Sequence, residues 1–278
     1  RIDKHGEFGW KATPRMLVRA ELNENTDIRF SVGKGYRRVH LFSERVNILA
    51  SNRDIIIENQ IEPEEAINIG LNLVQKFNIG NINSTISADA YLTMFQNQVF
   101  PDFDREIGRV FINNFNDKSE SRSFQLENMW DFSQQVDFKW SYSYQWAARE
   151  LEGEMITLPL IPNHKLLAQT SLSTKDDRWQ ADFTARWIGT KRLPDTRDFP
   201  DIYKQPTESP SYSGFDMQFT RRWTKFELYA GIENITNFRQ AFPILGSEDP
   251  FGPFFDSSFN WGPTKGREFY IGFRYKAF

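Results

Sequence analysis

The sequence predicts an all-β chain, a transmembrane antiparallel β-barrel with about eleven strands in this chain. Three observations carry this. Val136 to Ala148 (VDFKWSYSYQWAA) sets Val136, Phe138, Trp140, Tyr142, Tyr144, Trp146 and Ala148 against polar or small residues at every other position. Successive side chains of a strand point to opposite faces, so one face is an aromatic wall, whereas a helix would scatter the same rings round its circumference. The stretch is also long. At about 3.4 Å per residue it spans roughly 44 Å, or some 34 Å along the axis of a barrel whose strands tilt by about 40°. Globular strands average about five or six residues, and a bilayer crossing takes about nine to eleven. Finally, tight polar turns and long loops alternate along the whole chain.

In order, Met16, Val18, Ala20 and Leu22 alternate with Leu17, Arg19 and Glu21; Asn23-Glu24-Asn25 turns; and Ile28, Phe30 and Val32 return. Residues 36–63 read as a long loop. Ile67, Ile69, Leu71 and Leu73 form the next strand, Asn78-Ile79-Gly80-Asn81 has hairpin chemistry, and Ile86, Ala88, Ala90, Leu92 and Met94 line one side of 82–98. Residues 99–117 read as a loop with a short strand at 110–113. Phe124, Leu126 and Trp130 lie in phase, and Phe132 to Gln135 turn into the 136–148 strand. After a loop at 149–162, Leu166 to Leu172 descend, Lys175 to Arg178 turn, and Trp179 to Trp187 ascend. A proline-rich loop covers 191–211. Phe215, Met217 and Phe219 descend to a turn at 222–224, Phe226 to Ile232 ascend, a loop spans 236–265, and Phe269, Ile271, Phe273 and Tyr275 complete the set.

Long loops on one rim and tight turns on the other are the arrangement of outer-membrane barrels, whose short side faces the periplasm. A composition 39% hydrophobic and 26% charged suits many soluble proteins. Barrel strands, apolar on one face only, give an equally weak hydropathy signal. No apolar run reaches the 18 or so residues of a membrane helix. With a net charge of −3 and only short basic clusters, nucleic acid is not an expected partner. The absence of cysteine excludes thiolate chemistry and disulfides. Arg1-Ile2-Asp3-Lys4 has no apolar segment behind it, so an exported protein would need a leader from further upstream.

Eleven is an odd count. Bacterial single-chain barrels have even numbers of strands, and an open sheet edge is not tolerated in lipid, so further strands are expected upstream. Twice eleven is 22, the size of the plugged outer-membrane transporters. The last fifty residues carry a resemblance. Gly231-Ile232-Glu233-Asn234-Ile235-Thr236-Asn237 resembles the penultimate-strand motif of TonB-dependent outer-membrane transporters. Phe238-Arg239-Gln240, Asp249-Pro250-Phe251-Gly252-Pro253 and Trp261-Gly262-Pro263 resemble the form common in Bacteroidetes-type members. Gly266 to Tyr275 is similar to the terminal strand. Gly35-Tyr36-Arg37 followed by Glu44, and Glu62-Pro63-Glu64, resemble elements nearer the start. The resemblance implies that residues 1–278 are strands 12–22 of a 22-stranded barrel. The signal peptide, TonB-contacting box, plug domain and first barrel half would then lie outside this chain. It also implies partners: outer-membrane lipid, the protein's own plug and N-terminal barrel half, the TonB-ExbB-ExbD energising complex, and a small-molecule ligand. Family members usually end on an aromatic residue in phase with the lipid-facing set; Phe278 is one residue out of phase, so either the strand bulges near Ala277 or the assembly machinery reads this end differently.

No constellation with catalytic spacing is present, and no enzyme, cofactor or metal site is expected. His5, His40 and His164 are dispersed, and His40 with Glu44 reads as a solvated loop. Gly33-Lys34-Gly35 opens no helix that could present amides to phosphate. Ligand contacts are expected from the loops, at Arg37, Asp102, Asp104, Arg197, Phe251, Phe254, Phe255 and Trp261, though these residues also suit a self-packed charged and aromatic loop. Lumen-facing residues expected to meet a plug are Arg29, Asp137, Lys139, Asp182, Arg186 and Glu233, with Asp89, Glu127 and Glu227 on the same face. The function these features imply is energy-coupled uptake of a scarce ligand such as a metal–siderophore or metal complex across the outer membrane. The alternatives are a transporter-like barrel serving as a structural subunit among other outer-membrane proteins, and a passive porin.

Overall fold

The computed structural model describes residues 1–44 and 46–276. A small hairpin, β1 (Ile2–His5) and β2 (Gly9–Ala12), precedes β3 (Arg15–Asn23) and β4 (Thr26–Arg37). A helical turn α1 (Leu41–Glu44), a 3-10 turn (Val46–Ala50) and β5 (Asp54–Ile57) follow. Then come β6 (Glu64–Ile79), β7 (Ile82–Phe95), β8 (Gln98–Asp102), β9 (Arg109–Phe115), β10 (Ser119–Ser133), β11 (Val136–Leu151) and β12 (Glu154–Thr157). The chain finishes with β13 (His164–Ser173), β14 (Trp179–Ile188), a 3-10 turn (Asp201–Tyr203), β15 (Tyr212–Arg222), β16 (Phe226–Glu233) and β17 (Glu268–Tyr275).

Eleven staves form one antiparallel sheet in the order β17-β16-β15-β14-β13-β11-β10-β7-β6-β4-β3, and its ends do not pair with each other among the described residues. The expected staves are therefore all present. Their facing is uniform because cross-strand partners share a face. One row, Phe77-Ser84-Trp130-Phe138-Thr170-Phe183-Met217-Ile232-Phe269, crosses nine strands and is largely apolar. The adjacent row, Asn78-Asn83-Asp131-Asp137-Ser171-Asp182-Gln218-Gly231-Tyr270, is polar except for its glycine. The first row faces lipid and the second the lumen.

Aromatic rings gather at two levels of the lipid face, as expected for interfacial girdles. Near the turns, Trp130 meets Phe77 edge-on at 5.6 Å, and Arg221 lies over Trp179 and Trp223 at 4.6 and 5.2 Å. Near the other rim, the Tyr142 hydroxyl is 2.7 Å from His164 Nδ1, and Arg122 covers Trp146 at 4.8 Å. From Phe138 to Trp146 is eight residues, about 21 Å along a barrel axis tilted by about 40°, close to the roughly 25 Å apolar band of outer-membrane barrels.

Stave height is uneven. β6, β7, β10 and β11 run 14 to 16 residues, whereas β13 to β17 run 8 to 11. The long loops also hold more order than their sequences suggest. The 36–63 segment, expected as a loop, contributes α1, a 3-10 turn and β5. β5 pairs in parallel with β9, and β9 pairs with β8, making a three-stranded sheet above the staves. β8 and β9 are a local pair, but β5 finds its partner β9 in another loop, so no local alternation marks it. The short strand expected at 110–113 lies within β9. The 149–162 loop begins later than expected, because β11 continues to Leu151 and β12 folds back on it through Glu152 and Gly153, both at positive φ. The bulge expected at Ala277 and Phe278 lies outside the described residues.

Buried apolar residues cluster in this loop cap. Ile48, Val99, Val110 and Ile112 form one group; Phe100, Ala147 and Leu158 a second; Phe199, Leu245 and Phe259 a third. The staves bury little against one another because their apolar face is turned to the membrane.

Candidate functional site: the loop cap and the lumenal wall

The cap is knitted together by ion pairs between loops distant in sequence. Arg53 Nε donates to Asp256 Oδ2 at 2.5 Å, both side chains almost fully buried, while its guanidinium lies over Phe259 and Phe103 at 4.7 and 5.5 Å. Asp256 Oδ1 accepts from the Ser258 amide at 2.9 Å, and Arg53 Nη1 donates to the Arg109 carbonyl at 3.1 Å. Asn52 Nδ2 donates to the Gly252 carbonyl and Ser257 Oγ to that of Ala50. The 38–63 and 236–267 segments are thus one unit. A second link joins β8 and the residues just after it to β11 and to the 189–211 segment: Arg149 Nη2 lies 2.9 Å from Asp102, and Arg192 Nη2 is 2.7 Å from Asp104, whose other oxygen accepts from the Asp195 amide at 2.8 Å.

This knitting accounts for most of the loop residues expected to meet ligand. Asp102 and Asp104 are engaged as just described. Arg37 pairs with Glu64 and Glu44 at 2.5 and 2.7 Å. Phe254 packs on Phe199 and Tyr203, Phe255 is half-buried, and Trp261 is buried in the cap. Arg197 and Phe251 are open: Phe251 is 97% exposed, and Arg197 projects and pairs with Asp195 at 2.7 Å. That hydrogen bond from Arg197 holds the Asp195 carboxyl below its usual range. The eight residues therefore do not converge on one site.

The lumenal set lies on one wall. Lys139 pairs with Glu127 at 2.9 Å and Arg29 with Asp27 at 2.9 Å. Asp182 accepts from Ser171 and, at 2.7 Å, from Gln180. Arg186 pairs with Asp216 at 3.0 Å, and Asp137 and Glu233 face the lumen exposed. Between wall and cap lie two cavities. One of about 430 Å³ is lined by Phe95, Phe100, Phe103, Gln98, Gln145 and Ser121, among others. The other, about 330 Å³, is bordered by Arg186, Tyr212, Glu233, Asn234, Lys265 and Glu268. Among the described residues no group of three or more His, Asp or Glu is placed to hold a metal ion.

Sequence reasoning does not single out Lys165 and Lys191. Lys165 stands on the lumenal face of β13, opposite Ser143 on β11 and Ile188 on β14. Lys191 follows the end of β14, where the Gly189 amide donates to the His164 carbonyl and the Ser209 amide to that of Lys191, both at 2.9 Å or less. Burial pushes the Lys191 ammonium below its ordinary range, and Lys165 adds to the effect. Alternation could have placed Lys165 on the lumenal face, but no local pattern marks Lys191 as half-buried.

The sequence matches a family model described as TonB dependent receptor-like, beta-barrel, over residues 1–235. No curated protein matches it. Among solved structures, the copper transporter OprC superposes on 94% of the chain with a TM-score of 0.67 and 16% identity. A mutant of the ferric enterobactin receptor PfeA from Pseudomonas aeruginosa covers 98% (TM-score 0.69, 13% identity), and the siderophore receptor PirA from Acinetobacter baumannii 99% (0.65, 14%). The chain spans 39%, 41% and 42% of the lengths of these three proteins.

Proposed function

The chain belongs to the TonB-dependent receptor-like β-barrel family, and from that premise we propose that it is the C-terminal barrel half of an energy-coupled importer. The barrel stands in the bacterial outer membrane and is not an enzyme. In this reading the ligand is a scarce metal–siderophore or metal complex, the kinds of cargo named for the similar structures. The plug and the remaining staves come from segments outside this chain, and TonB with ExbB and ExbD supplies the energy.

The observation that supports this best is the pairing of eleven uniformly faced staves with a closely knit cap over their lumenal wall. A passive pore has no need of a cap tied by a buried ion pair. The test is uptake of radiolabelled ferric complexes by cells carrying the full-length gene, with and without TonB. Accumulation that requires both is expected; equal entry of small solutes without TonB would establish a porin instead. The structural-subunit reading draws on two exposed apolar side chains of the cap, Ile202 and Phe251. Stoichiometric recovery of a second outer-membrane protein after mild solubilisation would support it.

A further inference from the structure

β1 and β2 lie outside the eleven-stave sheet and pair only with each other among the described residues. Cross-strand partners share a face, so Ile2, Lys4, Trp10 and Ala12 lie on one side of this ribbon and Asp3, His5 and Lys11 on the other. The two sides meet different surroundings. Asp3, His5 and Lys11 are half-buried, whereas the other four are exposed, Ile2 and Trp10 each to 70%.

The covered side is fixed to the outside of the wall. Lys11 Nζ lies 2.5 Å from Glu65 Oε1, and Lys34 Nζ 2.6 Å from the other carboxylate oxygen. Glu65 belongs to the lipid-facing set, since it alternates in phase with Ile67 and Ile69 on β6, and Lys34 opposes Ile67. Ribbon and wall therefore meet on the membrane side of the staves and not in the lumen. The tip is held as well: Glu7 accepts from Gln60 Nε2 at 2.6 Å, and His5 Nδ1 accepts from the Glu7 and Phe8 amides at 3.2 Å. At the base, the Thr13 amide donates to the Arg1 carbonyl at 2.8 Å and the Lys34 amide to the Pro14 carbonyl at 3.0 Å, so the ribbon runs on into β3.

The register gives its level. Ile69 shares a row with Leu92, Arg122 and Trp146 of the upper girdle. Glu65 stands four residues further along β6, about 10 Å along the barrel axis, which is headgroup depth and clear of the hydrocarbon. An indole ring, an isoleucine and a lysine suit that layer, because an indole and a lysine stem bury their apolar parts and keep their polar ends in water. Lys4 Nζ stands 5.6 Å over the Trp10 ring, so cation and ring are presented together. The exposed face thus continues the lipid-facing surface of the wall and adds positive charge to it.

We propose that the β1–β2 ribbon is an interfacial anchor whose outer face seats on anionic lipid headgroups of the outer leaflet. Trp10 and Ile2 enter the boundary layer, and Lys4 meets a lipid phosphate. The inference rests on the outer-membrane location of the barrel and is independent of what the protein imports.

The test uses the full-length protein in phosphatidylcholine nanodiscs, with any other cysteine replaced by serine. A bimane label is placed at Ala12→Cys or, as a control on the exposed cap, at Glu248→Cys. Lipid brominated high on its acyl chains should remove about half of the emission at Ala12 and little at Glu248, with aqueous iodide doing the reverse. Adding phosphatidylglycerol should deepen the lipid quenching at Ala12, and Lys4→Gln should abolish that increment alone. Trp10→Ser should bring the Ala12 label within reach of iodide. Unlabelled protein gives a second reading: the brominated lipid should quench less tryptophan emission in Trp10→Phe than in the wild type. The proposal fails if iodide quenches the Ala12 label as fully as the cap label, which puts the face in water. It fails equally if neither quencher reaches the label, since another segment of the protein then covers the ribbon. Equal quenching with and without phosphatidylglycerol would overturn the headgroup contact of Lys4. None of these readings involves transport, so a failure here is separable from a failure of TonB-dependent uptake.

Discussion

Glycine and asparagine show why particular residues stand in the penultimate and terminal staves. Gly231 opposes Tyr270 and Gly272 opposes Tyr229, and in each pair the ring lies across the bare backbone where a Cβ would collide. Tyr270 also donates from its hydroxyl to Gln218 Oε1 at 2.9 Å, so the ring bridges three staves. Asn234 and Asn237 adopt positive φ, which asparagine tolerates better than most residues, and Asn234 closes the turn with Nδ2 to the Phe238 carbonyl at 2.8 Å. The motif from Gly231 to Asn237 was legible as a resemblance; the geometry supplies its cause. Gly231→Val should displace Tyr270 and lower the unfolding free energy by about 1–3 kcal/mol. Gly35→Ala, with open space around it, should be close to neutral. Urea unfolding of the full-length barrel in lipid vesicles compares them, and equal costs would mean that the ring does not depend on the bare glycine.

At the scale of the element, β11 was legible because its alternation is set by a local period of two and its turn is short. Its register confirms the facing: Trp140 opposes Asn128 and Ala168 on the lipid side, and Ser141 opposes Glu127 and Leu167 in the lumen. A polar pair in the middle staves interrupts the lipid face. Asn128 is buried and donates from Nδ2 to Ser84 Oγ at 2.8 Å and to the Thr85 carbonyl at 3.2 Å, so its amide hydrogens are kept from the hydrocarbon. Trp140→Arg, inside the apolar band, should cost up to about 2–4 kcal/mol, and Ser141→Arg distinctly less. The same vesicle assay measures both, and similar losses would overturn the facing of this stave. β12 was not legible, because a four-residue strand leaves too short a pattern to distinguish from a loop.

For the whole molecule, sequence reasoning reached the barrel wall and stopped at the cap. Arg53 and Asp256 lie 203 residues apart, and nothing local marks either as buried. The aromatic loop residues therefore read as packing first and as ligand contacts second, and the structure shows most of them packed. Asp256→Asn should leave Arg53 charged and unpaired in a buried position, lowering the local opening free energy by about 3–5 kcal/mol. Amide hydrogen exchange around Asn52 and Gly252 in the full-length protein reads this directly. Arg53→Met combined with Asp256→Leu should recover much of the loss. Unchanged exchange in Asp256→Asn would mean that the pair does not hold the loops.

The uneven height of the staves has a mechanical consequence. On one side, β6, β7, β10 and β11 carry regular backbone pairing well above the level at which β13 to β17 stop. On the other, the cap hangs from irregular segments at 189–211 and 234–267. Ladder hydrogen bonds resist bending and loops do not, so stiffness varies round the rim. A cap mounted in this way has a hinge side and a free side. The free side is the one above β13 to β17.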